Sequence, residues 1–205
     1  MKIDADGWFE QVRRIESPNM GGPIVPELIV VHFTAGASAE SSAVHFSRPA
    51  SGVSAHVIVD REGSVIQCVP FNRQAWHAGS SEYGGRIRLN EWTVGVELAN
   101  WGQVERLEDG SYQSWAKHTV DPAHVVRIGN TYWEWFPSEQ VCSAYCVCKA
   151  ITTWAREIGP GIRDVVGHSW VCVPSGRKPD PGPAFDMVAF RKLLGYHHAA
   201  SRFQL

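Results

Sequence analysis

Residues 138 to 159, SEQVCSAYCVCKAITTWAREIG, constrain the fold more than any other stretch. The segment starts at Ser138 after a proline and ends at Gly159-Pro160, and Val141, Tyr145, Cys148, Ile151, Trp154 and Ile158 recur within it at three- and four-residue intervals. That spacing predicts a helix over 138–159 with one long apolar stripe. Such a stripe needs an apolar surface to lie on, and short β-branched runs supply one. LIVVHFTA (28–35), AHVIVD (55–60), VIQCVP (65–70) and TVGVELA (93–99) read as strands of one sheet, the middle two flanking the turn signal REG. Two further helices are predicted, over SAESSAVHFS (38–47) and AFDMVAFRKLLGY (184–196), the second with Phe185, Val188, Phe190 and Leu193 or Leu194 on one side. Elements that alternate in this way predict an α/β fold. Segment 102–137, of mixed polarity with several Gly, Pro and Trp residues, reads as an irregular insertion close to whatever site exists.

A chain of 205 residues, 44% hydrophobic, is most simply one domain with a sizeable core. A formal charge of −2 gives no electrostatic reason to expect nucleic acid or an anionic membrane as partner. No stretch approaches the length of a membrane span, and MKIDADGWFEQVRRIESP has acids and arginines where a signal peptide needs an apolar run, so export by that route is not expected. Five cysteines, an odd number without a disulfide-framework spacing, fit a reducing compartment. Cys142, Cys146 and Cys148 do not read as a zinc site, because they fall in the long helix on different faces and form no CxxC pair.

Polar groups at strand ends carry the chemistry. His32 interrupts LIVVHFTA where a buried strand reaches the rim of its sheet, and His168 follows the apolar pair Val165-Val166 and Gly167. Each alone reads as readily as a core histidine satisfied by hydrogen bonds. In GRKPDPGPAF (176–185), Asp180 lies between Pro179 and Pro181, which hold its backbone extended. That stiffness suits either a tight turn or a carboxylate whose position must not drift. Taken together, two histidines and one carboxylate are the ligand chemistry of catalytic zinc with a position left for water. Glu97, among Val94, Val96 and Leu98, is placed where apolar surroundings raise a carboxyl pKa and suit it to moving protons.

VVHFTA, SAHVIVDREGSVIQCVPFNRQAWHAG, VGVELAN and VVGH…GRKPDPGPAFD resemble, in order, the motifs of the zinc-dependent N-acetylmuramoyl-L-alanine amidases. This is the amidase-2 family, which also contains peptidoglycan-recognition proteins and a phage lysozyme. The resemblance is nearest to the AmpD-type branch and runs from about Gly7 to Leu194. It implies a single domain with a mixed central sheet flanked by helices, and hydrolysis of the amide between the lactyl group of N-acetylmuramic acid and L-alanine of the stem peptide. Carried over by position, His32, His168 and Asp180 match the zinc ligands, Glu97 the catalytic glutamate, and Lys178 a lysine that stabilises the oxyanion. His77 in AWHAG and Arg88 in GRIRLNEW match positions lining the substrate cleft. His56 reads as structural, and Ala55 stands where the lysozyme branch has a tyrosine. His45, His118, His124, His197 and His198 lack motif support and are expected at the surface.

The resemblance also implies the partner, peptidoglycan or a muropeptide, met by a monomer either in the bacterial cytoplasm or as a phage or prophage lysin that reaches the wall without a signal peptide. A non-catalytic peptidoglycan-binding module of the same fold is the alternative, but such modules typically lose a zinc ligand. Two departures bear on the site. The interval from His168 to Asp180 brings Cys172 close to the expected metal as a conceivable fourth ligand. The insertion carrying WAKH and TYWEWFPSEQ is larger than in compact AmpD enzymes, and an open aromatic cleft would suit polymeric wall.

Overall fold

In the computed structural model, which describes residues 1–197, the four predicted strands join Arg13–Arg14 and Asp164–Gly167 in one six-stranded sheet. Its order across the sheet is Arg13–Arg14, Val65–Gln67, Val57–Val59, Thr93–Leu98, Leu28–Phe33 and Asp164–Gly167. Val57–Val59 runs antiparallel to Val65–Gln67, and the other neighbours are parallel, so the sheet is mixed. Leu28–Phe33 is buried along its length until Phe33 because strands lie on both sides of it and packed layers cover both faces.

The long helix forms over Ser138–Ile158 and lays its apolar stripe on one face of the sheet. Val147, Cys148, Ile151, Trp154 and Ala155 meet Ile29, Val31, Val94, Val96 and Leu98 there, joined by Phe185 and Phe190 from the C-terminal segment. Truncating a fully buried residue such as Ile151 to alanine costs about 2–5 kcal/mol in a layer of this kind. The helix predicted over 38–47 spans Ala39–Phe46, closed by a capping box in which Ser38 and Ser41 satisfy each other's backbone N–H groups. It covers the opposite face around Ile58 and Ile66. The last helix is shorter than predicted, Met187–Leu193, because Asp186 caps it by accepting from the Ala189 N–H. His198 lies outside the described residues.

The insertion is not irregular. Residues 103–134 form a five-stranded antiparallel sheet in the order Thr119–Val120, Tyr112–Gln113, Gln103–Arg106, Thr131–Glu134 and Val125–Ile128. Its strands are two to four residues long, too short for an alternating pattern to stand out from the sequence. Glu134 ties it to the main body. This buried carboxylate accepts from Arg61 Nε at 2.7 Å and Nη2 at 2.9 Å, while Arg61 Nη1 donates to the Ala37 carbonyl just past the His32 strand.

Candidate active site

Parallel pairing brings the candidate residues to one rim. His32 lies opposite Glu97 and Gly167 opposite Val31, so His32, Glu97 and the first residue after Gly167 stand side by side at the carboxyl ends of three parallel strands. That end of an open sheet is where ligands bind in α/β folds. Alternation then selects the face. Leu28, Val30 and His32 point away from the long helix, as do Thr93, Gly95 and Glu97.

His168 opens a short helical turn, His168–Val171, and the Ser169 N–H donates to the Asp180 carbonyl at 2.8 Å, which fastens the proline-clamped segment to that turn. Gly167 is required here, since a Cβ would come within 2.8 Å of Pro181 Cδ. Gly182, at φ +78°, packs against the Trp133 ring of the insertion, where a Cβ would sit 2.8 Å from Cζ3.

Three ligand atoms converge. His32 Nδ1 lies 3.1 Å from His168 Nδ1 and 2.8 Å from Asp180 Oδ2, and His168 Nδ1 lies 2.9 Å from the same oxygen. All three residues are buried. The outward nitrogens fix what faces inward. His168 Nε2 lies 3.0 Å from the Ala78 carbonyl, which can only accept, so Nε2 carries the proton and Nδ1 of the neutral ring presents its lone pair. His32 Nε2 lies 3.0 Å from His77 Nδ1, and His77 Nε2 lies 3.2 Å from Thr93 Oγ1. Metal ligation through His32 Nδ1 requires donation outward along that chain, from His32 Nε2 to His77 and from His77 Nε2 to Thr93, which the spacing allows. Burial, then the neighbouring His168, lowers the His32 pKa to about 4 against the pull of Asp180, so the ring is neutral near pH 7. Two nitrogen lone pairs and a carboxylate oxygen packed this closely repel one another unless a cation lies between them, and the set fits a divalent metal taking N and O ligands.

Glu97 is half-buried, with Oε2 enclosed and without a hydrogen-bond partner among the described residues. Burial, then the Asp180 charge, pushes its pKa up to about 8, with Lys178 opposing. Lys178 is exposed, and its charge acts on both Glu97 and His32, as expected of a side chain on the same side of the extended segment as Asp180.

His77 is partly exposed beside the ligand cluster, and Arg88 is at the surface. Both His77 ring nitrogens are engaged within the protein, and its ring lies on Gly95, where a Cβ would fall 2.5 Å from Cγ. The ring is thus in contact with a candidate ligand, His32. Arg88, at φ 59°, starts the turn Leu89–Glu91 and pairs with Glu91, and its guanidinium is exposed. Cys172 is buried, but Sγ points to the carbonyls of Ser169, Pro174 and Lys178, and the cluster of candidate ligands does not include it. Cys142 and Cys146 are exposed while Cys148 is in the core, and His45, His118, His124 and His197 are exposed. His56 is structural in its contacts, bonded to the Arg73 carbonyl and the Gly95 N–H.

The sequence reading missed Thr93, Gly95 and Asn90. Asn90 Oδ1 accepts from the backbone N–H groups of His77 and Ala78 at 3.2 and 2.8 Å and so sets the turn that presents both to the ligand histidines. A glycine inside a strand pattern signals close approach of another group, and Gly95 carried that signal.

Residues 21–183 match the family described as N-acetylmuramoyl-L-alanine amidase. The chain is 28% identical over 209 residues to 1,6-anhydro-N-acetylmuramyl-L-alanine amidase AmpD of Escherichia coli, covering 92% of this chain and 94% of that protein. The Citrobacter freundii protein of the same name is 29% identical over 210 residues, covering 92% and 93%. The solved structure of a selenomethionine AmpD derivative superposes with a TM-score of 0.66 at 28% identity, covering 95% of this chain and 99% of that one.

Proposed function

The chain belongs to the N-acetylmuramoyl-L-alanine amidase family, and on that premise we propose that it is a zinc hydrolase that cuts the amide between the lactyl group of N-acetylmuramic acid and L-alanine of a peptidoglycan stem peptide. The observation that carries the reading is Glu97 Oε2, buried without a partner on the strand next to three converging ligand atoms. An enclosed carboxylate oxygen is costly unless it has a task.

His32 and His168 through Nδ1 and Asp180 through Oδ2 would hold the zinc, which when bound supplies a Lewis acid that polarises the scissile carbonyl and lowers the pKa of water. Glu97 takes the proton from the attacking water and passes it to the leaving amine of L-alanine. Burial moves its pKa from the ordinary carboxylate range toward the working pH, which suits one group to both taking and giving a proton. Lys178 offers a positive charge to the oxyanion that develops on the lactyl carbonyl. His77 acts through His32, holding the ring in the tautomer that presents Nδ1. Arg88 remains a candidate for a stem-peptide carboxylate only if it leaves Glu91.

The relatives' name, a 1,6-anhydro-N-acetylmuramyl-L-alanine amidase, supports an anhydro-muropeptide as substrate; the lytic reading requires intact wall. Among the described residues no helix is long and apolar enough to cross a membrane. The test is mass spectrometry of products from soluble anhydro-muropeptides and from intact sacculi, run in parallel on protein of measured zinc content. Free stem peptide beginning at L-alanine, lost with chelator and restored by zinc, is expected. Full activity in chelator on protein holding no zinc would refute the reading.

A further inference from the structure

The insertion carries an aromatic surface that the proposed chemistry does not use. Trp115 is 71% exposed, yet its ring N–H is hydrogen-bonded to the main body. It occupies the turn of the hairpin joining Tyr112–Gln113 to Thr119–Val120, where the Ser114 N–H donates to the His118 carbonyl at 2.8 Å and the Lys117 N–H to the Ser114 carbonyl at 3.0 Å. His118 in that turn stacks on Trp101, with ring centroids 5.0 Å apart and planes 22° from parallel. Trp115 Nε1–H itself donates at 2.8 Å to the Ala35 carbonyl, at a residue with φ 51° three positions past His32. Ala35 lies in the loop that leaves the carboxyl end of Leu28–Phe33, the end of that strand that carries His32, so the indole stands over that loop. Trp101 lies four residues beyond Glu97 on the neighbouring strand.

The geometry points to Trp115 as a saccharide platform: an immobilised indole face on the insertion that stacks against a sugar ring of a glycan strand next to the muramic acid being cut. With its N–H already satisfied, the indole offers only an apolar π face, whose complement is the C–H face of a pyranose. A stem peptide of amides and carboxylates needs donors and charges that this face lacks. Because the hairpin is locked before binding, little side-chain entropy is lost when a ring stacks on it. The assignment deepens the amidase reading and rests on it for the position of the cut, but the platform itself binds sugar whether or not hydrolysis follows.

The test compares Trp115→Ala and Trp115→Phe with the parent protein, all at measured zinc content, on two substrates with the same stem peptide. One carries a single sugar and the other several disaccharide repeats. For Trp115→Ala, kcat/KM on the multi-repeat substrate is expected to fall about tenfold through KM, the upper end for one aromatic contact, while the single-sugar substrate changes less than about twofold. Trp115→Phe, which keeps a face and loses the N–H, is expected to stay within about threefold on both. Equal losses on both substrates, no loss on either, or a phenylalanine variant as weak as alanine would overturn the assignment. Calorimetric binding of peptide-free glycan oligomers to the parent and Trp115→Ala proteins separates the two readings. Binding that depends on Trp115 without hydrolysis of either substrate refutes the amidase function and leaves the platform standing, whereas hydrolysis with glycan binding indifferent to Trp115 does the reverse.

Discussion

Replacing His56 with glutamine tests whether this buried ring sets the acid limit of the fold. His56 is fully buried, with Nε2 2.9 Å from the Arg73 carbonyl and Nδ1 3.0 Å from the Gly95 N–H. The carbonyl must accept and the N–H must donate, so the neutral ring protonated at Nε2 satisfies both, and a second proton at Nδ1 would face the Gly95 N–H. Burial accordingly lowers the His56 pKa from 6.5 to about 4, the Arg73 carbonyl opposing. As pH falls below about 6.5 the unfolded chain binds a proton that the native protein refuses until about pH 4. Stability from the neutral ring is thus complete above pH 6.5 and is lost as pH falls toward 4. The loss amounts to ~2 kcal/mol at pH 5 and ~3 kcal/mol at pH 4. His56→Gln removes the titration and leaves one of the two bonds unmade, so it should be ~1–3 kcal/mol less stable at pH 7. The gap to the parent should then close by ~2 kcal/mol at pH 5. Urea unfolding followed by tryptophan fluorescence at pH 7, 6 and 5, with chelator in every sample, measures it. A gap that stays constant over this range would show that His56 does not titrate as its contacts require.

Three further outcomes are expected. Glu97→Gln should keep its zinc and lose about a hundredfold or more in turnover, and metal analysis with steady-state kinetics on one sample decides it, since normal turnover removes Glu97 from the reaction. Lys178→Ala should keep zinc and KM while kcat drops about a hundredfold, with Lys178→Arg recovering only part; a normal kcat in the zinc-loaded alanine variant would make Lys178 an ordinary loop lysine. His77→Ala should weaken zinc binding about 10–100-fold in a chelator competition, and unchanged affinity in a folded variant would show that His77 does not orient His32.

Strand-end histidines and a glutamate among valines were legible because a polar group inside an apolar run needs a reason that the run itself does not supply. The long helix was legible because its stripe recurs over many turns. The insertion's sheet was not, since its strands are held by pairing across segments and not by any local pattern. His77 shows the other limit: motif position placed it near substrate, but its contacts with His32 and Thr93 depend on what stands across from the ring. For His77 that is decided by one strand. Thr93, Gly95 and Glu97 occupy successive positions on one face of Thr93–Leu98, the first within 3.2 Å of the His77 ring, the second leaving room for it and the third presenting its carboxylate. Only the register that sets Leu28 against Thr93 and His32 against Glu97 brings all three to the ligand histidines. A slip of one residue would turn Glu97 to the helix face and bring Val96 to the metal side. The apolar residues of that strand, Val94, Val96 and Leu98, oppose the slip because each would leave the core under the long helix. Hydrophobic burial on one face of the strand therefore holds the catalytic register on the other.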